Sequence, residues 1–380
     1  MPKMRVTRTR LSDGRELIYF DLPGAPERTA PDERGLEATR TESVLRRDPL
    51  TGERVIFAAH RQNRTFLPPA NQDPLAPTLP GSHPSEVPEQ DYQVVVFENR
   101  FPSLSMAVPD VAETVDGEAL MAQAAARARC EVVCFTPDAA GSFAQLDLER
   151  KRLVIDVWAH RTAELAGLAG VEYVFAFENR GEEIGVTLHH PHGQIYSYPF
   201  VPPRASAIAA RAREFRDTHA GEDLFDAYLD AERRAGTRMI AQTEHFSVLT
   251  PVAARWPVEV MVMARRPVGN FAELTDDERA DLACVLDRLF PLVDQYFPGI
   301  AKTPYIAAWN QAPVAAPRDG RLHLQLFSLM RSAGRMKFLA GSESGMGVWI
   351  NDATPEAIAA RFRELWGEGA WPVDDVEAAR

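Results

Sequence analysis

The run His189-His190-Pro191-His192-Gly193-Gln194-Ile195-Tyr196 decides how this 380-residue chain is interpreted. Apolar residues before it, in Gly185-Val186-Thr187-Leu188, and at its end predict two short β-strands. In a strand, residues i and i+2 lie on one face of the sheet. The spacing therefore predicts that His190, His192 and Gln194 point to the same side.

Two imidazoles and an amide on one face suit chemistry at a phosphate group. A neutral imidazole such as His192 can attack phosphorus, which divides a transfer into two displacements through a phosphohistidine. Gly193 lets a phosphate approach the backbone, and the Gln194 amide can donate hydrogen bonds without a titratable proton. We expect covalent nucleotidyl transfer. Packed core histidines or metal ligands are the alternatives that a bare pair of histidines leaves open.

The surrounding residues favour the first interpretation, because they match a known signature in order. Phe177-Glu178-Asn179-Arg180-Gly181, then Gly185-Val186-Thr187, then His190-Pro191-His192-Gly193-Gln194 resemble the galactose-1-phosphate uridylyltransferase family of the histidine-triad superfamily. Hydrolases of that superfamily carry a third histidine where the transferases have glutamine, and this chain has Gln194. Further matching segments cover nearly the whole chain: Arg47-Asp48-Pro49-Leu50-Thr51-Gly52, His60-Arg61-Gln62-Asn63-Arg64, Val96-Phe97-Glu98-Asn99-Arg100-Phe101-Pro102, Trp309-Asn310-Gln311-Ala312-Pro313, His323-Leu324-Gln325-Leu326-Phe327 and Lys337-Phe338-Leu339-Ala340-Gly341-Ser342-Glu343.

The resemblance implies an α+β fold of two tandem histidine-triad-like units, each an antiparallel sheet with packed helices. We place the catalytic unit at residues 1–198, with a proline-rich loop at about 68–88, and the second unit with its connecting helices at 199–380. Each half also reads as strand, strand, helix, strand, strand, which indicates an internal duplication. The helices are predicted from Asp147 to Leu165 and from Thr275 to about Tyr296, where Thr275 and Glu278 form a capping box.

The resemblance also implies roles for individual residues. His192 is the expected nucleophile, Gln194 a donor to the phosphoryl oxygens, and His190 a residue that orients the loop or bonds a backbone group. The expected substrate-binding residues are Arg61, Arg64, Asn99, Asn179, Thr187, Gly193, Lys337, Phe338 and Glu343. Guanidinium groups match phosphate oxygens and stay charged, although a solvated charge or a turn-forming asparagine remains the alternative at several of these positions.

Departures from the family pattern concern its metals. The segment Asp73-Pro74-Leu75-Ala76 contains no counterpart of the zinc-binding cysteine pair, and Ala139 stands where the family has a histidine. A closed structural zinc site needs four ligands. Asn310 and Gln325 replace histidines that some relatives use for iron. We therefore predict no metal cofactor, and expect the proline-rich loop to be held by packing or by hydrogen bonds, one of them from Asp73.

Composition limits the partners. A net charge of -12 argues against a nucleic-acid surface, which needs a clustered positive field. The chain starts without an apolar leader, and no stretch approaches the roughly 20 apolar residues of a membrane span. Three cysteines are too few for a disulfide framework. These features predict a cytoplasmic protein with a small ligand. The resemblance implies that its partners are a nucleotide sugar and a hexose 1-phosphate, and that it is a homodimer.

The expected reaction is transfer of UMP from UDP-glucose to galactose 1-phosphate through a uridylyl-histidine. The alternatives are a phosphorylase or nucleotidyltransferase of the same superfamily with another nucleotide, such as ADP-glucose, and a nucleotide-sugar sensor without catalysis.

Overall fold

A computed structural model describes residues 4–38, 41–63, 68–69 and 72–372. The chain forms two compact units, each discontinuous in sequence. The first contains Met1–Ala176, Thr187–Ser206 and Pro313–Ala315, and the second contains Phe177–Val186, Ala207–Ala312 and Ala316–Arg380. The sequence predicts one division between residues 198 and 199 instead. The difference arises because Phe177–Val186 has neighbours in the second unit, as when the Tyr305 hydroxyl donates to Glu178 at 2.8 Å.

The first unit is built on an antiparallel sheet. Its elements, in chain order, are β1 (Arg5–Arg10), β2 (Glu16–Asp21), β3 (Val44–Arg47), β4 (Arg54–Phe57), β5 (Val94–Glu98), β6 (Gln123–Ala125), β7 (Cys130–Cys134), α1 (Leu148–Ala166), β8 (Tyr173–Arg180) and β9 (His192–Tyr198). The main sheet has the order β1-β2-β5-β7-β9-β8, and β4-β3-β6 form a small separate sheet. The strand β8 starts in the first unit and ends in the second.

Local signals account for the first long helix. The Asp147 side chain accepts a hydrogen bond from the backbone N–H of Arg150 and so caps the start of α1. Val154, Val157 and Trp158 recur at helical spacing and are buried. The predicted helix and its apolar stripe are confirmed.

The second unit repeats this arrangement. Its elements are α2 (Pro203–Thr218, which begins in the first unit), α3 (Leu224–Ala235), β10 (Met239–Gln242), β11 (Phe246–Leu249), β12 (Val258–Ala264), α4 (Asp276–Gln295), β13 (Tyr305–Asn310), β14 (His323–Ser328), β15 (Met330–Ser332), β16 (Arg335–Met336), α5 (Gly341–Met346) and α6 (Pro355–Trp366). The order in its sheet is β13-β14-β12-β11-β10. The predicted capping box at the start of α4 is present, with Thr275 and Glu278 bonded to each other's backbone N–H groups.

The strand order within each unit supports the predicted duplication. The strands β5-β7-β9-β8 in the first unit and β11-β12-β14-β13 in the second follow one another in the same neighbour order. In both copies a long helix follows the second strand in sequence: α1 lies between β7 and β8, and α4 lies between β12 and β13. The α+β class with two tandem units is confirmed. No helix of the described residues is long and apolar enough to span a membrane.

The proline-rich segment is only partly a surface loop. Its described residues between 68 and 88 form no α-helix and no strand apart from an isolated bridge between Pro77 and Val87. Leu75 and Val87 are nevertheless buried in one apolar cluster with Leu11 and Tyr92. The segment is therefore folded onto the sheet of the first unit by its own apolar side chains.

Candidate active site

The nucleophile candidate lies at the start of a buried strand. His192 is the first residue of β9, and exposure alternates along the strand, so that His192 and Gln194 are half-buried while Gly193 and Ile195 are buried. Across the ladder, His192 lies opposite Cys134 and Gln194 opposite Val132. The prediction that His192 and Gln194 share one face is confirmed, since alternate residues of a strand point the same way.

His190 precedes β9, and the short strand predicted before the histidines is the part of the prediction that was wrong. Residues 185–188 form no strand, because they follow a short 3-10 turn and pair with no neighbouring strand. His190 lies in a bend before β9 and is only 2% exposed. Its Nδ1 is 2.9 Å from the Asp73 carboxylate, and its Nε2 is 2.7 Å from the Thr136 carbonyl oxygen. The expected Asp73 hydrogen bond that holds the proline-rich segment is thus present.

The ring of His192 has a defined orientation. Its Nδ1 lies 2.7 Å from the backbone carbonyl oxygen of His190, so that Nδ1 carries the proton and donates it to this carbonyl. The lone pair then resides on Nε2. Burial lowers the pKa of His192 below its usual value, although the bond to His190 acts in the other direction. The ring is therefore neutral at neutral pH, the form that can act as a nucleophile.

Two residues that are predicted to bind the phosphate or the nucleotide, Arg61 and Asn99, lie near β9. Arg61 donates to the Phe101 carbonyl at 2.7 Å, and the Asn99 side chain accepts from the Phe101 N–H at 2.8 Å. Arg61 also forms a hydrogen bond with the side chain of Tyr196, which lies on the half-buried face of β9. Burial raises the pKa of Tyr196, and the positive charge of Arg61 opposes this rise. The side chains of Arg61 and Asn99 thus both bond the backbone of Phe101. Arg64 lies outside the described residues.

Thr187 and Asn179 lie in different units. Thr187 is a half-buried residue of the non-strand segment before the histidines, in the first unit. Asn179 is half-buried near the end of β8, in the part of that strand that belongs to the second unit. Its neighbour Arg180 is fixed by a 3.0 Å bond to Asp294 and lies 4.3 Å from the centre of the Tyr305 ring. The backbone around Asn179 is therefore firmly held.

The predicted hexose contacts come together in the second unit. Lys337 and Glu343 are both largely buried, and their Nζ and Oε1 atoms are 3.4 Å apart. Hydrogen bonds from backbone N–H groups and the contact with Lys337 lower the pKa of the Glu343 carboxyl. Phe338 is 75% exposed. The cluster presents a paired charge beside an exposed ring, an arrangement that suits a sugar.

The residues at the family's zinc position do not fit a closed zinc site. Both ring nitrogens of His190 are already engaged, by Asp73 and by the Thr136 carbonyl, and Ala139 has no ligating atom. Within the described ranges, no three His, Cys, Asp or Glu side chains converge as a metal site would require. The absence of a metal cofactor remains a prediction.

Sequence reasoning missed Tyr92, Thr136 and Tyr196. The Tyr92 hydroxyl donates to the Thr136 carbonyl at 2.6 Å and lies 3.0 Å from His190 Nε2. These residues are 44 to 98 positions apart in the chain, so no local pattern indicates the contact. Tyr196 could have been found from its i+4 spacing to His192 within the strand.

The chain is similar to known proteins over most of its length. Residues 35–202 match the family described as galactose-1-phosphate uridyl transferase, N-terminal domain, and residues 210–370 match the corresponding C-terminal domain. A galactose-1-phosphate uridylyltransferase of Streptomyces lividans is 41% identical over 95% of this chain and 98% of its own. One of Thermotoga maritima is 32% identical over 84% of this chain and 98% of its own.

Solved structures show the same fold. A structure described as that of a uridylyltransferase superimposes with a TM-score of 0.74 at 30% identity, covering 85% of this chain and 98% of that one. An ADP-glucose phosphorylase from Arabidopsis thaliana with bound ADP-glucose has a TM-score of 0.62 at 22% identity and covers 84% of this chain and 97% of its own. The second likeness is one of fold alone.

Proposed function

The chain belongs to the galactose-1-phosphate uridylyltransferase family and is a transferase, and from this we propose that it moves UMP from UDP-glucose to galactose 1-phosphate through a covalent intermediate on His192. The proposed products are UDP-galactose and glucose 1-phosphate. The order is ping-pong, because one imidazole serves both displacements.

In the first half-reaction His192 Nε2 attacks the α-phosphorus of UDP-glucose. A phosphorus–nitrogen bond forms, and the bond from that phosphorus to the bridging oxygen breaks, so that glucose 1-phosphate leaves with the electron pair. In the second half-reaction a phosphate oxygen of galactose 1-phosphate attacks the uridylyl group, and the phosphorus–nitrogen bond breaks. No net proton is consumed by the two transfers, and the imidazole is regenerated.

The observation that carries the proposal is the 2.7 Å bond from His192 Nδ1 to the His190 carbonyl. This bond places the reactive lone pair on Nε2 and stabilises the positive charge that the ring gains when Nε2 bonds to phosphorus. The lowered pKa of His192 supports it too, since a neutral ring needs no prior deprotonation. A packed structural histidine would be fully buried, whereas the His192 side chain lies on the half-buried face of β9.

Donors near β9 suit the charge of the reacting phosphates. The Gln194 amide, on the same face as His192, donates to the α-phosphoryl oxygens as their charge shifts during attack. Gly193 lets the phosphate come close to the backbone. Arg61 and Asn99, held together at the Phe101 backbone, contact the phosphate and nucleotide. These side chains supply positioning and electrostatic stabilisation, which dominate phosphoryl transfer.

The remaining predicted contacts belong to the nucleotide and the hexose. Asn179 and Thr187 contact uridine, ribose or phosphate, and Lys337, Phe338 and Glu343 bind the hexose. We propose that part of the hexose site comes from the opposite chain of a homodimer. The Lys337 and Glu343 pair supports the hexose role, because paired charges offer both donors and acceptors to sugar hydroxyls.

The test is release of glucose 1-phosphate from UDP-glucose without acceptor. We expect a burst of one equivalent per active chain, followed by UDP-galactose formation when galactose 1-phosphate is added. ADP-glucose, assayed in parallel, should give no burst. A burst with ADP-glucose alone would assign the site to an adenine nucleotide, and no burst with either would oppose the covalent route.

A further inference from the structure

The ring of His190 is fixed at both of its nitrogens. Nδ1 lies 2.9 Å from Oδ2 of Asp73, and Nε2 lies 2.7 Å from the carbonyl oxygen of Thr136. Burial alone would raise the pKa of the Asp73 carboxyl, but the hydrogen bond and charge of His190, together with the Leu75 N–H and the charge of His192, lower it below its usual value. Asp73 is therefore ionised, and its contact with the imidazole is a charge-assisted hydrogen bond, which is stronger than a neutral one.

The backbone of His190 in turn orients the ring of His192. The same residue that Asp73 holds by its side chain supplies the carbonyl oxygen that accepts from His192 Nδ1 at 2.7 Å. The next carbonyl, that of Pro191, accepts from the Phe135 N–H at 3.2 Å. Rotation of the His190 backbone would move the acceptor away from His192 and release its ring. The side-chain contact with Asp73 opposes such a rotation.

Asp73 is itself held in place. Its Oδ1 accepts from the backbone N–H of Leu75 at 2.9 Å, so both carboxylate oxygens are engaged. Leu75 is 3% exposed and packs with Leu11 and Val87 in the apolar cluster. The Pro74 carbonyl accepts from the N–H of Glu86 at 2.9 Å. The Asp73 carboxylate is thus held at both of its oxygens, although it lies in a segment that forms no strand.

Two arginines that precede residue 35 also help to hold the segment that contains Asp73. Arg15 donates to the Glu86 carboxylate at 2.6 Å, and Arg34 donates to the same oxygen at 3.1 Å. Both arginines precede residue 35, where the match to the family's N-terminal domain begins. Arg15 also bonds the backbone carbonyl of Glu98 at 2.8 Å, next to the substrate-binding candidate Asn99. The N-terminal segment therefore anchors the part of the chain that presents Asp73.

We infer that Asp73 is a positioning residue for transfer at His192: through His190 it fixes the carbonyl that sets the orientation and tautomer of the nucleophile. The inference rests on the proposed function of His192. Asp73 acts on the chemical step and not on nucleotide affinity, because its carboxylate oxygens are taken up by His190 and Leu75. A small misplacement of a reacting group is enough to slow chemistry substantially.

The test compares Asp73→Asn with a matched control. Asp138→Asn makes the same change at an exposed aspartate of the first unit, whose Oδ1 accepts from the Ala140 N–H at 2.9 Å just as Asp73 accepts from Leu75. Rapid quenching of each enzyme with UDP-glucose alone gives the limiting rate of uridylylation and the half-saturating concentration. We expect Asp73→Asn to lower the limiting rate about 10- to 100-fold, by analogy with the residues that orient metal-binding histidines, with the half-saturating concentration unchanged.

Asp73→Glu should recover part of the lost rate, and Asp138→Asn should match the wild type. An unchanged limiting rate in Asp73→Asn, or a change confined to the half-saturating concentration, would overturn the inference. If Asp73→Asn does not fold, Asp73→Glu decides alone: a displaced carboxylate should still slow the step, and a full rate would refute the positioning role.

Histidine ¹⁵N spectra separate this inference from the proposed function. In the wild type, His192 should show the tautomer with Nδ1 protonated, and in Asp73→Asn a mixture of both tautomers. If the wild type takes up no nucleotide, the covalent route fails, and the spectra still decide whether Asp73 orders the ring. Identical His192 spectra in both proteins would contradict the inference.

Discussion

Strands β9 and β14 hold a histidine in the same way, yet only one of them suits catalysis. In the first unit His192 Nδ1 lies 2.7 Å from the carbonyl of His190, and in the second unit His323 Nδ1 lies 2.7 Å from the carbonyl of Arg321. Each histidine begins its strand and is followed two residues later by a glutamine. The duplicated fold thus supplies the ring orientation twice.

The two strands differ in what surrounds the ring. His192 and Gln194 are half-buried, whereas His323 is 3% and Gln325 is 5% exposed. The Gln325 amide donates to Glu259 at 2.6 Å and is engaged within the protein. Where the first unit has His190, the second has Arg321, a buried residue that donates to Asp226 at 2.6 Å.

The fold and the reaction therefore have separate requirements. The strand and its preceding carbonyl fix a histidine tautomer, which a structural histidine also needs. Nucleophilic attack further requires a face open to substrate and an amide available to the phosphoryl oxygens. Only the first unit combines these features among the described residues.

The largest expected effect separates the two histidines. His192→Ala should lower turnover by at least on the order of 10⁴, because no neighbouring group replaces the nucleophile. His323→Ala should keep the chemistry and lose about 1–3 kcal/mol of stability, since it removes a buried, hydrogen-bonded side chain. Steady-state assays and thermal unfolding measure the two effects. Comparable loss of turnover in His323→Ala, with the fold intact, would contradict the assignment of catalysis to His192 alone.

Local signals in the sequence account for much of the fold. Asp147 and Thr275 cap the starts of α1 and α4, and apolar residues at helical spacing follow them. The alternation of β9 likewise predicts that His192 and Gln194 share a face. Each of these features depends on residues within a few positions of one another, so each can be read from a short stretch of chain.

The remaining elements depend on distant partners. The strand β1 consists largely of polar residues and is stabilised by pairing with β2, a partner that the residues of β1 do not indicate. Residues 185–188 show the opposite failure, because an apolar run forms a strand only where a partner strand is available. The contact of His190 with Asp73 joins residues 117 positions apart and became visible only in the folded chain.

The glutamines provide the second prediction. Gln194→Ala should slow both half-reactions by on the order of 10²–10³ without preventing UDP-glucose binding, as loss of an oxyanion donor does. Gln325→Ala, the matched change in the second unit, should leave the rate nearly unchanged. Rapid-quench rates for each half-reaction decide between these outcomes, and full activity in Gln194→Ala would remove it from the mechanism.

A histidine at the same position sharpens this test. Gln194→His should be slow as well, but it should lose a larger share of the uridylyl-enzyme to water, because an imidazole can act as a general base near neutral pH. The ratio of free UMP to UDP-galactose measures the share. A ratio equal to that of the wild type would show that Gln194 does not favour transfer over hydrolysis.

The third prediction concerns pH. The reactive form of His192 is neutral, so activity is full above its pKa and is lost as the pH falls through it. Because burial lowers that pKa, the acid limb should lie below the ordinary histidine value of about 6.5. Uridylylation by UDP-glucose alone gives this limb without interference from galactose 1-phosphate, whose own phosphate titrates. A limb centred at or above the ordinary value, with the fold intact, would contradict the assignment.

The smallest expected effect is that of chelation. The ligand sets around His190 and His323 are incomplete in sequence, so the purified protein should hold no stoichiometric zinc or iron and should keep its activity after treatment with a chelator. Elemental analysis with activity before and after treatment is the measurement. One tightly held zinc per chain would show that other residues, such as His83, complete a site.

The most direct test of the account is the location of the covalent label. UDP-glucose labelled at the α-phosphate is incubated with the wild-type protein, which is then digested with trypsin and sequenced by mass spectrometry. We predict one acid-labile, alkali-stable label per active chain on His192, in the peptide 181–204, and none on His323, in the peptide 322–331. A label on any other residue, or an acid-labile label that persists in His192→Ala, would contradict the account.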